Sequence, residues 1–368
     1  MPYHSLMVIF YLCVRLSSIG GRKAMLKIRD QKKALVRGFR PVAVLVSFLL
    51  LAGACGSDEP AAAPEEAAEK IDIWVVGSIQ VGGTFWDQIE AGAKAAGEMI
   101  ADAEVTYIAP EEYSYPNIDA MIQTAVAANP DAVLVDYRSS DFEGTVVGAL
   151  NQGIEVQFFN NFVGTDSADP RIRRLSATAV GLDKAAASKR SANLYTEFVS
   201  PGDSLVLFNS LPDSSEHLEI QNAYVEVFLD AGWSEDDLDI VDLPGLDPAP
   251  NFEAIKTYLA AYPDVDGIVT WDTSSGTPAA QAKADIGSSV PLVMWNLDQT
   301  VISGVKDGTV QLSLTQQPFL QTYYAVVSAY LKVKYGLIDP AVIDPGTLIV
   351  NADNVDEVEG LFNAGYVG

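Results

Sequence analysis

The stretch Ile71-Asp72-Ile73-Trp74-Val75-Val76-Gly77, continued by Ser78-Ile79-Gln80-Val81-Gly82-Gly83-Thr84 and then Phe85-Trp86, decides the fold. Residues 71–77 are a short apolar run closed by glycine, the pattern of a buried strand. Residues 78–84 read as a Gly-rich loop. Beyond it Phe85, Ile89, Ala93, Ala96 and Ile100 recur at spacings of three and four, one face of a helix. The first folded unit is therefore strand, loop, helix, with two aromatics at the loop–helix junction. In an open parallel sheet that junction lies at the carboxyl end of a strand, where ligands bind.

The same alternation runs on, which predicts parallel βαβ units. Strands are expected at 104–108, 132–135, 154–159, 204–208, 238–241, 267–270, 291–295 and 311–314, with a last one at 347–350, and a long loop leads to 175–180 before the alternation restarts. Helices are expected from Pro116 to the Asn129-Pro130 stop, and over 145–151, 182–199, 218–231, 252–261 and 319–335. Two similar α/β halves of four to six strands each follow from this order.

The 368 residues are enough for two domains. Formal net charge is −26, but residues 1–54 hold nine Lys/Arg and one acid. Without them 14 basic and 48 acidic residues remain, a net of −34. Nucleic-acid binding is disfavoured, because phosphate contacts need a basic face. The acidity reads as a solvated, solubilising surface. The cysteines are Cys13 and Cys55 and the histidines His4 and His217, too few for a disulfide framework or a multi-His zinc site. A Ser-His-Asp or Cys-His catalytic site is equally hard to assemble.

Residues 22–40 are basic, and Pro41 to Ala54 is an apolar run of 14 residues ending at Cys55. That length suits a signal h-region rather than a membrane span. Small residues directly before a cysteine resemble a bacterial lipoprotein signal, cut before Cys55, which is then lipidated. The usual pattern has Leu three residues before the cysteine; here Ala52 holds that place and Leu51 lies one further back. A simple signal or an uncleaved anchor is the alternative. Residues 1–54 are thus expected to be a leader, with Met25 a plausible true start. Residues 55–70 are acidic and Pro/Ala-rich, the composition of a disordered tether.

From about Ile71 to Val350 the chain resembles the ribose/galactose type of bacterial periplasmic solute-binding proteins. The resemblance rests on four stretches taken in order: Gly83 to Lys94 around Phe85-Trp86; Met121-Ile122 with Asn129 to Val135; Ala260 to Val269; and Gln316-Gln317-Pro318. It implies an α/β fold of two Rossmann-like lobes with parallel sheets joined by a three-crossing hinge (periplasmic binding protein type I). It places one lobe at 71–176 plus 317–345 and the other at 177–316 plus 346–368.

Site residues follow position by position. Phe85 and Trp86 match an aromatic pair that packs on a sugar's C–H face; an aromatic buries that face while polar neighbours take the hydroxyls. Core packing is the alternative for Phe85. Asn160 and Asn161 stand where many relatives have Asp-Arg; each amide donates and accepts, so it can still bind a hydroxyl. A turn is their alternative role. Trp271 replaces an Asn at a sugar-contact position, ahead of Asp272. Asn296 stands where relatives often have Asp, and Gln316 matches a hinge Gln. Gln80, Arg138 and His217 are weaker candidates: Arg138 to read an acid or ring oxygen or to sit on the surface, His217 as a ligand contact or a capping residue. Amides and aromatics with one clear carboxylate fit a neutral polyol or deoxy-sugar better than a sugar acid.

The functional expectation is a lipid-anchored, extracytoplasmic binding protein that captures a small sugar or polyol, works as a monomer without cofactor, metal or catalysis, and delivers its ligand to an ABC permease in the membrane. A receptor feeding a sensor or chemotaxis system is the runner-up, and an exported glycoside hydrolase the third reading. The loop at 77–83 lacks G-x-G-x-x-G spacing, which disfavours NAD. No P-loop is present, and a sugar-responsive repressor would need a basic helix-turn-helix in place of the secretion signal.

Overall fold

The structure, a computed structural model, describes residues 70–80, 84–338 and 341–368. The expected leader, Cys55 and all of the tether but Lys70 lie outside the described residues. The elements in order are β1 (Ile71–Val76), α1 (Thr84–Met99), β2 (Ala103–Ile108), α2 (Tyr115–Ala127), β3 (Ala132–Tyr137), α3 (Glu143–Gln152), β4 (Glu155–Phe162) and α4 (Pro170–Ala177). They continue with α5 (Lys184–Tyr195), β5 (Leu205–Asn209), α6 (Ser215–Ala231), β6 (Leu238–Asp242), α7 (Pro248–Ala261), β7 (Gly267–Val269) and α8 (Thr273–Ile286). Last come β8 (Leu292–Trp295), α9 (Gln299–Asp307), β9 (Leu312–Thr315), α10 (Pro318–Tyr335), β10 (Leu348–Val350) and α11 (Val355–Asn363).

The strands form two sheets, ordered β2-β1-β3-β4 and β10-β9-β8-β7-β5-β6. All pairings are parallel except β10 against β9. Every residue of β3 is buried, as a parallel strand covered on both faces requires. The two faces of the first sheet carry separate apolar clusters, one around Val133, Val135 and Phe158, the other around Ile73, Val75 and Leu134. The second sheet is covered in the same way, by clusters around Ile268 and Met294 and around Val269 and Trp295.

The second half of the chain does not stay with the second sheet. Helix α10 follows β9 but packs on α1, β1, β3 and β4 of the first lobe. A Cβ at Gly92 in α1 would come within 2.2 Å of the Phe319 carbonyl oxygen, so only glycine lets the two helices approach this closely. The chain then returns to add β10 beside β9. It passes between the lobes three times: after α4, before α10 and after α10. The first and third crossings touch, because Val180 bridges both Phe159 and Ile343.

The long loop expected to lead to 175–180 holds a helix instead. Leu175 to Ala177 finish α4, which Asp169 caps through Arg171 N–H and Pro170 opens. Val180 makes isolated bridges only. The helices α4, α8, α9 and α11 have no counterpart in the sequence reading. Pro278 inside α8 and the small residues around it hid that helix.

Candidate functional site

The parallel strands of both lobes point their carboxyl ends at one cleft, which holds a cavity of about 360 Å³. A pocket at that position is where open α/β sheets bind ligands. The first lobe contributes Phe85 and Trp86 from the start of α1, Tyr113 after β2, Arg138 after β3 and Asn160 from β4. The second contributes Glu216 and His217 from α6, Trp271 and Asp272 between β7 and α8, and Asn296 after β8. Gln316 enters from the crossing after β9. Thus Phe85, Trp86, Asn160, Trp271, Asp272, Asn296, Gln316, Arg138 and His217 come together, although 231 positions separate the first from the last. Asn161 and Gln80 do not join them. Asn161 faces a neighbouring recess of about 780 Å³ that shares Asn160 and Glu216 with the cavity. Gln80 is exposed, and its backbone N–H bonds to Pro110 O at 2.7 Å.

In the first lobe the polar groups are organised by Asp136, fully buried at the end of β3. It accepts from Ser78 Oγ (2.5 Å), Asn161 Nδ2 (2.9 Å), Asn160 Nδ2 (3.3 Å) and Arg138 Nε (2.8 Å). Arg138 Nη2 adds a 2.7 Å ion pair to the same carboxylate. The guanidinium lies 5.8 Å from the Trp86 ring centre and 5.4 Å from that of Tyr113, whose hydroxyl accepts from Nη1 at 3.1 Å. Burial opposes its charge, but Asp136 above all holds its pKa above the usual value. Arg138 is therefore held mainly by its own lobe, with Glu216 its contact across the cleft at 3.9 Å.

Glu216 links the lobes. Its carboxylate lies 2.8 Å from Lys184 Nζ and 3.9 Å from Arg138 Nη1. Lys184 Nζ in turn donates to Asn161 Oδ1 (2.5 Å) and Asn160 O (3.2 Å). Both ends of the Asn161 amide are thereby taken by protein. Burial favours the neutral form of Glu216, but Lys184, then Arg138 and His217, outweigh it and bring the pKa down to about 2. Sequence reasoning missed Glu216, Lys184 and Asp136; apart from Glu216 standing next to His217 at a helix start, nothing local marks them.

The second lobe builds its wall around an indole. Trp271 is 2% exposed, stacks on Tyr224 (6.4 Å between ring centres, 26° between planes) and donates from Nε1 to His217 Nδ1 at 3.0 Å. Asp272 caps α8 through Ser275 N–H (2.7 Å) and accepts from Ser210 Oγ. Its carboxylate lies 3.9 Å from His217 Nδ1.

Asn160 and Asn296 have positive φ, 57° and 65°, a left-handed conformation that non-glycine residues rarely adopt. Each turns the chain at a strand end and brings an amide to the cavity. Asn296 Oδ1 accepts from Gln316 Nε2 at 3.2 Å. Asn160 Oδ1 and Gln316 Oε1 are buried without a hydrogen-bond partner. A buried unpaired carbonyl costs about 1–3 kcal/mol, so a partner for either oxygen would be stabilising. Among the described residues no group of three or more His, Cys, Asp or Glu is placed to hold a metal. Nor is any described helix long and apolar enough to cross a membrane.

Two lobes, three crossings and a cleft lined by aromatic and amide side chains define a bilobal α/β fold with its pocket between the lobes. Residues 74–336 match the periplasmic binding protein domain, and the chain belongs to that family. It is 21% identical over 247 residues to the xylose/arabinose-binding protein of Sulfolobus acidocaldarius, matching 64% of this chain. The chain spans about 60% of that relative's length. Among solved structures it resembles a carbohydrate transporter from Acidothermus cellulolyticus in complex with myo-inositol (TM-score 0.68, 22% identity, 80% of this chain and 99% of that one). It also resembles an Agrobacterium vitis solute-binding protein bound with α-D-tagatopyranose (TM-score 0.70, 18% identity, 81% and 100%). At these identities the structural likeness speaks for the fold.

Proposed function

We propose that this chain is the sugar-binding component of an ABC transporter, taking a neutral monosaccharide or polyol between its lobes. The observation that carries this is the pair of unpartnered amide oxygens, Asn160 Oδ1 and Gln316 Oε1, in residues that line a cavity walled by Trp86 and Trp271. Sugar hydroxyls are the donors those oxygens lack, and the rings bury the C–H faces. The volume suits one ring. Sugar acids are disfavoured, because Arg138 and Lys184 are already paired with Asp136 and Glu216. The relatives named for xylose, arabinose, myo-inositol and tagatose support the ligand class. Asp272, Asn296 and Phe85 complete the contact set.

In this reading lobes 71–176 plus 317–345 and 177–316 plus 346–368 close on the ligand by hinge bending. The protein acts as a monomer outside the cytoplasm, held to the membrane through Cys55, and passes the ligand to a permease without turning it over.

A thermal-shift screen of the folded region from Lys70 onward tests it, with pentoses, hexoses, deoxy-sugars, myo-inositol and uronic acids. A neutral ligand at a hundred times its dissociation constant adds about 2.7 kcal/mol of stability. Stabilisation by a neutral sugar that disappears in Trp86→Ala and Asn296→Ala supports the reading. Stabilisation by acids alone overturns the neutral-ligand assignment.

A further inference from the structure

His217 sits in the cavity wall with a hydrogen-bond problem that only one protonation state solves. Its Nδ1 lies against the Trp271 indole N–H at 3.0 Å and the Asn209 side-chain oxygen at 3.2 Å, with the Asp272 carboxylate further off at 3.9 Å. An indole nitrogen can only donate. A proton on Nδ1 would meet the indole proton head-on, so Nδ1 must be bare. The Asn209 contact is then two acceptors side by side rather than a hydrogen bond. Asn209 cannot flip to relieve it without losing what it already makes: Oδ1 accepts from Leu211 N–H at 2.9 Å, and Nδ2 donates to Gln221 Oε1 at 2.9 Å. The proton of the neutral ring is therefore on Nε2, which has no hydrogen-bond partner among the described residues while the side chain lines the cavity.

We infer that His217 is a specificity-determining donor of this cleft, locked by Trp271 as the Nε2–H tautomer and presenting one fixed N–H to an acceptor oxygen of the ligand. Trp271 is its positioning residue. The ligand role rests on the sugar-binding reading above; the tautomer does not. A hydroxyl in the wall could rotate to donate or accept, but an Nε2–H held this way only donates. The ligand must then place a ring or hydroxyl oxygen there, and an analogue without that oxygen leaves a buried donor unpaired. This places Trp271 in two roles, as a flat wall and as the group that sets the proton on its neighbour.

The surrounding charges bear on the lock. Asp272 at the start of α8 and Glu216 on α6 favour a charged ring, while Arg138 after β3 and Lys184 on α5 oppose it. Burial is the largest influence and lowers the His217 pKa. Cavity geometry and burial thus agree on a neutral imidazole at neutral pH, against the pull of Asp272 and Glu216.

Histidine ¹⁵N labelling of the region from Lys70 onward, where His217 is the one histidine, reads the tautomer directly by NMR. The expected spectrum at pH 7 has a bare Nδ1 and a protonated Nε2; a proton on Nδ1 overturns the inference. In Trp271→Phe the lock is gone, and the Nδ1 and Nε2 signals should show a mixed tautomer profile in place of the single Nε2–H form. No change in that profile overturns the positioning role, whatever the variant does to stability. The ligand role is read by adding D-xylose, L-arabinose, D-ribose or myo-inositol. A sugar that raises the melting temperature should also move the Nε2–H signal, and His217→Phe should weaken its binding about tenfold. A stabilising sugar that leaves that signal in place overturns the contact. If none of these sugars stabilises the protein, the function proposed above fails, and the tautomer signal separates that failure from this one.

Discussion

The two walls of the cleft use the same backbone device for different chemistry. Strand β4 delivers Asn160 and the turn after β8 delivers Asn296, both left-handed, both at the carboxyl end of a parallel strand. In the first lobe that amide joins a charged hub, with Asp136 accepting from two asparagines, a serine and Arg138. In the second lobe it joins a wall of indole, imidazole and one carboxylate, Asp272, with Asn296 paired to Gln316. Like strand ends therefore do not imply like recognition. The first wall spends its charges internally and offers an amide and aromatic rings. The second offers a fixed N–H and a carboxylate, and Glu216 ties the two together.

Variants that attack each wall separately test this contrast. Removing the centre of the second wall should do most. Trp271→Ala empties a site that is 2% exposed and is expected to cost about 3–5 kcal/mol in chemical denaturation, with sugar binding lost. A cost near zero would mean that the indole is not part of a packed wall.

The link between the walls comes next. Glu216→Gln keeps the shape but leaves Lys184 and Arg138 without their shared partner, and about 3 kcal/mol of stability should go. The pH profile sharpens this. A carboxyl whose folded pKa is lowered, here from 4.5 to about 2, stabilises the fold above pH 4.5. That contribution is lost as the pH falls toward 2, and the Gln variant should lack this slope. Parallel profiles for the two proteins would remove Glu216 from the link.

The smallest effects separate backbone from amide. Asn160→Gly keeps the positive φ without strain, whereas Asn160→Ala loses both conformation and amide, so Ala should be less stable than Gly by about 1 kcal/mol. Both should weaken sugar binding to a similar extent in calorimetry. Normal binding by the Gly variant would show that Asn160 is only a turn. The same pair of substitutions at Asn296 asks whether the second wall obeys the same rule.

Much of this was legible before any coordinates. Apolar runs such as Ile71 to Val76 and Ala132 to Val135 encode their strands locally, because a strand covered on both faces has no polar position to interrupt it. The aromatic pair Phe85-Trp86 and the strand-end amides were visible for the same reason: they follow such runs at once. Helix α8 was hidden because Pro278 and a run of small residues erase the periodicity that marks a helix. Helix α4 was read as part of a long loop, although Asp169-Pro170 is a helix start.

The sequence by itself determined the alternation of strands and helices, the two-lobe class, the acidic charge and nine of the residues that line the cleft. These depend on neighbours a few positions apart. Only the tertiary structure decided which of those residues still have bonding capacity. Asn161 looked as available as Asn160 until Asp136 and Lys184 took both ends of its amide. Arg138 looked like a reader of acids until Asp136, two residues away, claimed it. The proton on His217 depends on Trp271, 54 positions along the chain. Hydrogen-bond capacity is a property of the partners a group meets in space, and those partners come from other strands and another lobe.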